Sequence, residues 1–177
     1  VPSQFFNNLP ECGVDICFID TAHFNPGEHL NIQEILPFMK SHGIIIYHDT
    51  VYHTMRYPNG YTNCVSINTL NGNRISLNSE KTKGLPNIGA IILNQNIEQF
   101  LLPLFTNLSL PWDYKFTKED YENLITHFLQ FYSDELVEIF VYYSHFYMNE
   151  GLKNQIGATA IAEKQTENFS KVRSNQF

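Results

Sequence analysis

Two short apolar runs, each closed by an aspartate, constrain the fold of this chain more than any other feature. The first is Val14-Asp15-Ile16-Cys17-Phe18-Ile19-Asp20, and the second is Gly43-Ile44-Ile45-Ile46-Tyr47-His48-Asp49. Runs that are apolar on both faces suit strands covered on both sides, as in parallel sheets. Thr21 to His42 separates them, long enough for the helical crossover that parallel neighbours require. Within it, Asn25-Pro26 reads as an N-cap followed by the first helical residue. Ile32, Ile35, Leu36 and Met39 then share one helical face, and Pro37 distorts or ends the last turn. The spacing predicts a β-α-β unit, hence an α/β fold.

Val51 to Asn73 reads as irregular, with Pro58, Asn59-Gly60 and Asn71-Gly72 as turn signals. Arg74–Asn78 and Asn87–Leu93 follow as two strands whose short link favours antiparallel pairing. Ile97 to Leu108 predicts a short helix interrupted by Pro103. Thr117 and Asp120 approximate a capping box ahead of Tyr121, Leu124, Ile125, Phe128, Leu129 and Tyr132, one amphipathic helix. Ser133-Asp134-Glu135 caps a second helix running to about Asn149. Its aromatic residues, Phe140, Tyr142, Tyr143, Phe146 and Tyr147, exceed what one buried stripe can hold, which implies helix packing plus a subunit contact. Domain organisation follows: residues 1–94 hold the sheet, 95–150 a helical extension, and 151–177 a polar tail expected to fray.

The charge balance excludes some functions. Eleven Lys and Arg against eighteen Asp and Glu give a net charge of −7, whereas a nucleic-acid binder needs a cationic surface. An anionic membrane surface is equally unsuitable, and no apolar run reaches the roughly eighteen residues of a spanning helix. Three irregularly spaced cysteines, Cys12, Cys17 and Cys64, form no CxxC pair, so neither zinc nor a disulfide framework is suggested. A cytoplasmic location is the expectation. The chain starts at Val1 with no initiator Met, which reads as part of something longer.

Ligands of open α/β sheets bind outside the carboxyl ends of the strands, where Asp20 and Asp49 fall. On neighbouring strands the two carboxylates are candidate ligands for one hard cation such as Mg²⁺. His23, on the loop leaving the first strand, is a candidate base for a substrate hydroxyl. His29, His42 and His53 have no such support and read as structural or exposed. A different reading takes His48, Asp49 and His53 as the metal site of a hydrolase.

The segments Asp15–His23 and Leu36–Thr50 resemble the second half of class I S-adenosylmethionine-dependent methyltransferases. The nearest subgroup acts on small molecules, including those of antibiotic and surface-sugar biosynthesis. The resemblance covers roughly residues 9 to 94 and rests on Phe18-Ile19-Asp20…His23 and His48-Asp49-Thr50 as strand ends. It implies a partial Rossmann-like sheet, parallel strands plus a closing antiparallel hairpin, with a C-terminal helical extension. It also implies S-adenosylmethionine as cofactor, Asp20 and Asp49 as metal ligands (Mg²⁺), and His23 as base. By analogy His48, Tyr52 and Arg56 line an acceptor pocket for a small molecule or sugar. That fold's first half carries a glycine-rich turn that holds the cofactor, and no G-x-G occurs in this chain. The expectation is a fragment, inactive alone, that pairs with a missing N-terminal half or forms a homo-oligomer. A non-catalytic remnant or dimerisation module is the alternative. In the family's sheet, Val14–Asp20 sits mid-sheet; without its partner it becomes an edge strand.

Overall fold

A computed structural model of the chain describes residues 9, 13–21, 24–50, 62–70, 72–76 and 88–148. The two apolar runs form β1 (Val14–Ile19) and β2 (Met39–His48), which pair in parallel. The crossover between them is α1 (Gly27–Ile35). Pro37 does end the helix, one turn earlier than the apolar spacing predicts. Leu36–Phe38 tighten into a 3₁₀ turn, and Met39 opens β2 instead of extending the helical face. Asn25 is not the N-cap. Pro26 holds that position without a side-chain cap, and the Asn25–Pro26 peptide is cis.

β2 carries a bulge, because Val14 pairs with Met39 while Ile16 pairs with Ile44. The chain turns within it through His42, at φ 63°. Gly43 follows where a Cβ would come within 2.9 Å of the Lys40 carbonyl, so only glycine fits without displacement.

Two further strands complete a mixed sheet of order β1-β2-β4-β3, with β3 (Gly72–Ser76) and β4 (Ile88–Leu93) antiparallel to each other, and β4 antiparallel to β2. The expected hairpin is therefore present. Ahead of β3 lies α2 (Thr62–Thr69), in a stretch that reads as irregular. Its helix-poor sequence is held by tertiary contacts: Ile67 and Leu70 enter the core. Arg74 of β3 donates to the carbonyls of Ile67 (3.3 Å) and Asn68 (2.8 Å) at the helix's last turn.

Three helices follow: α3 (Glu98–Thr106), α4 (Lys118–Phe131) and α5 (Asp134–Tyr147). Pro103 lies inside α3 without breaking it; Phe100, Leu104 and Phe105 bury a face that outweighs the lost hydrogen bond. The capping box of α4 is present, with Thr117 Oγ1 accepting from the Asp120 amide and Asp120 Oδ2 accepting from the Thr117 amide. Among the described residues no helix is long and apolar enough to cross a membrane.

The segment from Leu110 to Tyr132 grips α1 at both ends. Before its N-terminus, Asn25 Nδ2 donates to the carbonyls of Leu110 and Pro111, and the Asp113 amide donates back to the Asn25 carbonyl. At its last turn, where carbonyls lack helical partners, the Tyr132 hydroxyl donates to Gln33 O and His127 Nε2 contacts Glu34 O at 3.0 Å.

Side chains on one sheet face pack against α1, α2 and α3; Ile45, Tyr47, Ile91 and Leu93 are fully buried there. The other face is exposed at its two edge strands. Ile16 and Phe18 of β1 are 60% and 56% exposed, and Ile75 of β3 is 41% exposed. Ile44, Ile46 and Ile92, which lie between them in the register, are only half-buried. The expectation of strands covered on both faces thus fails for β1, which also stands at the sheet edge.

Candidate functional site

Parallel pairing puts the carboxyl ends of β1 and β2 at the same end of the sheet, where Asp20 and Asp49 each follow the last strand residue. The register aligns Ile19 with Tyr47, so Asp20 comes level with His48. His48 Nδ1 lies 3.4 Å from Asp20 Oδ1 and 3.4 Å from Asp49 Oδ1. Asp49 turns back towards the imidazole through a left-handed backbone, φ 54°, a conformation that Asp tolerates better than most residues. Its side chain is 14% exposed, against 37% for His48 and 48% for Asp20.

Both carboxylates lie at ion-pair distance from one ring nitrogen, Nδ1, while Nε2 is on the far side of the ring. Both carboxylates thus meet at the shared strand end, where the sequence reading puts a Mg²⁺ site and where an imidazole now also stands. Among the described residues no three His, Cys, Asp or Glu side chains form a group that could hold a metal ion. His23, Tyr52 and Arg56 lie outside the described residues, as does His53.

Directly behind this cluster, on the covered face, is a buried polar layer. Tyr47 alternates to the opposite side from His48 and is fully buried, as are Glu28 and His29 of α1 and Ser66 of α2. Thr21, next to Asp20, donates from Oγ1 to Glu28 Oε1 at 3.1 Å, tying the turn after β1 to the first turn of α1. His29 Nδ1 and Ser66 Oγ are 2.7 Å apart. Burial pushes the Tyr47 hydroxyl well above its usual range, with Cys17 and Glu28 adding to the effect. Burial likewise pushes the Cys17 thiol up to about 11 and the His29 imidazole down to about 4.

The sequence reading overlooked Glu28 and Tyr47 and assigned His29 no role beyond structure. A usable signal was present, since Gly27-Glu28-His29 opens the helix that leaves the strand end carrying Asp20. No family model matches this chain, and neither the curated proteins nor the solved structures contain a match to it.

Proposed function

We propose that this chain is the acceptor-side half of a Rossmann-like S-adenosylmethionine-dependent methyltransferase, with residues 95–150 as a helical extension, acting on a hydroxyl of a small molecule or sugar. The observation that supports it is the imidazole of His48 held between Asp20 and Asp49 at the shared carboxyl end of two parallel strands. The resemblance supplies the reaction class; this cluster supplies a base. His48 Nε2 takes the acceptor's hydroxyl proton, with Asp20 and Asp49 flanking the ring on its Nδ1 side. Fixing the hydroxyl beside that base supplies much of the rate. S-adenosylmethionine provides the methyl group when bound, and this chain has no G-x-G turn with which to hold it.

The isolated chain is therefore expected to bind S-adenosylmethionine no better than millimolar in calorimetric titration, with or without Mg²⁺; micromolar affinity would mean that the cofactor site has been misplaced. The decisive test is the coding sequence extended upstream of Val1. Its product should contain a glycine-rich strand–turn–helix and transfer labelled methyl groups to hydroxylated acceptors. His48→Asn should slow that transfer by about 10²–10⁴-fold. A product without such a turn, or a His48→Asn enzyme of full activity, would sink the reading.

One observation favours a second reading, an assembly module: the open apolar face at β1, an edge strand with Ile16 and Phe18 exposed. Size-exclusion chromatography with light scattering tests it. The wild-type chain should associate, and Ile16→Lys/Phe18→Lys should be monomeric. A monodisperse wild-type monomer excludes it.

A further inference from the structure

The C-terminal helix α5 turns two faces in different directions. Val137, Phe140 and Ser144 are buried against the other helices. Glu135, Glu138, Ile139, Tyr142 and Phe146 recur at i, i+3, i+4, i+7 and i+11, which is a second face of the same helix. Tyr142 and Phe146 on it are 61% and 58% exposed. Their rings meet edge-on at 5.2 Å, and Tyr143 meets Tyr142 at 5.1 Å. An open groove of about 590 Å³ is lined by Thr106 of α3 and by Ile139, Val141, Tyr142 and Tyr143 of α5, with Glu135 and Glu138 towards the N-terminal end of α5. Leu102, one helical turn before Thr106 on α3, is 58% exposed.

We propose that this groove docks a basic amphipathic helix of a partner protein. Charge selects the occupant. Among the described residues no lysine or arginine lines the groove. Hydrogen bonds to its own backbone amide and to Ser133 hold the Glu135 carboxyl below its usual range, so it stays ionised. A cation from the partner meets this acidic end, and its ammonium or guanidinium group can also lie over the tyrosine rings. Apolar side chains one turn apart on the partner meet Ile139 and Tyr142. Length selects a helix over a small molecule. Glu135 to Phe146 spans about 16 Å at 1.5 Å per residue, about three turns. A second copy of this chain brings a further net charge of −7, and a nucleic acid brings more negative charge still.

The test is calorimetric titration of the full chain with an acetylated 18-residue peptide of Leu and Lys in helical amphipathic spacing, alongside a twin with Glu in place of Lys. The Lys peptide should bind at low salt, and the Glu peptide should not. Glu135→Gln/Glu138→Gln and Tyr142→Ser should each weaken the Lys peptide by about tenfold or more. Glu119→Gln/Glu122→Gln, which removes the same charge from the exposed face of α4, should leave its affinity within about twofold. All these side chains are exposed, so the variants retain the fold. If the Lys peptide does not bind, or if the two charge-matched double variants weaken it equally, the groove is not the site.

Discussion

Phe128→Ala should destabilise the chain by about 3–5 kcal/mol, the usual cost of emptying a phenylalanine site in a packed core. Phe128 is fully buried and packs edge-on against Phe105, Tyr132 and Phe140, with centroids 5.5, 5.7 and 5.0 Å away. Those three residues come from α3, the end of α4 and α5, so one ring joins all the later helices. The void cannot collapse without shifting a helix, which places the cost at the upper end of such substitutions. Phe128→Leu, which restores most of the volume, should cost far less. The exposed Tyr142→Ala should stay within about 0.5 kcal/mol of wild type. Urea unfolding followed by the fluorescence of the single tryptophan, Trp112, distinguishes these cases, because that ring stacks on Tyr147 at 4.7 Å. Equal midpoints for Phe128→Ala and wild type would mean that the aromatic cluster does not hold the helices together.

Acidification should release a second large effect, through His29. The buried imidazole is pushed down to about 4, while the unfolded chain titrates near 6.5. Between those values the unfolded chain binds a proton that the folded chain refuses. Stability from this residue is therefore complete above pH 6.5 and is lost as pH falls towards 4, by about 3 kcal/mol. Glu34 works in the opposite direction. Burial pushes its carboxyl up to about 7, so its contribution is complete below pH 4.5 and declines as pH rises through 7. The wild-type profile mixes the two, and a His29→Leu variant separates them. At pH 7 the variant should be the less stable, because Ser66 loses its partner. The gap should narrow by about 3 kcal/mol on going to pH 4. Parallel profiles for wild type and variant would show that His29 is protonated in the folded chain.

What could be read in advance followed from local chemistry. β1, β2 and β4 are apolar runs, β3 follows the Asn71-Gly72 turn signal, and the Thr117–Asp120 capping box is a four-residue motif that needs no tertiary information. The strand-end positions of Asp20, His48 and Asp49 were legible for the same reason. What failed depended on distant partners. α2 is built from weak helix formers and stands on Arg74 and on the contact between Ser66 and His29. Asn25 looked like an N-cap because nothing nearby reveals Leu110 and Pro111. The open face of β1 could not be foreseen either, since an apolar run does not say which of its sides will be covered. Tyr47 and His48 are adjacent letters that end on opposite faces, one in the buried polar layer and the other between two acids.

The two-ended grip on α1 also governs when this chain can finish folding. Asn25 waits for Leu110 and Pro111, and Gln33 and Glu34 wait for Tyr132 and His127, partners that lie 85 to 99 positions later. On a ribosome adding roughly 5–20 residues per second, α1 emerges about 5–20 s before its last clamp has been made. During that interval its final carbonyls lack these partners, and its apolar face has only the sheet and α2 to rely on. A nascent chain whose emerged part ends before Leu110 should therefore be protease-sensitive, and one from which Tyr132 has also left the ribosome resistant.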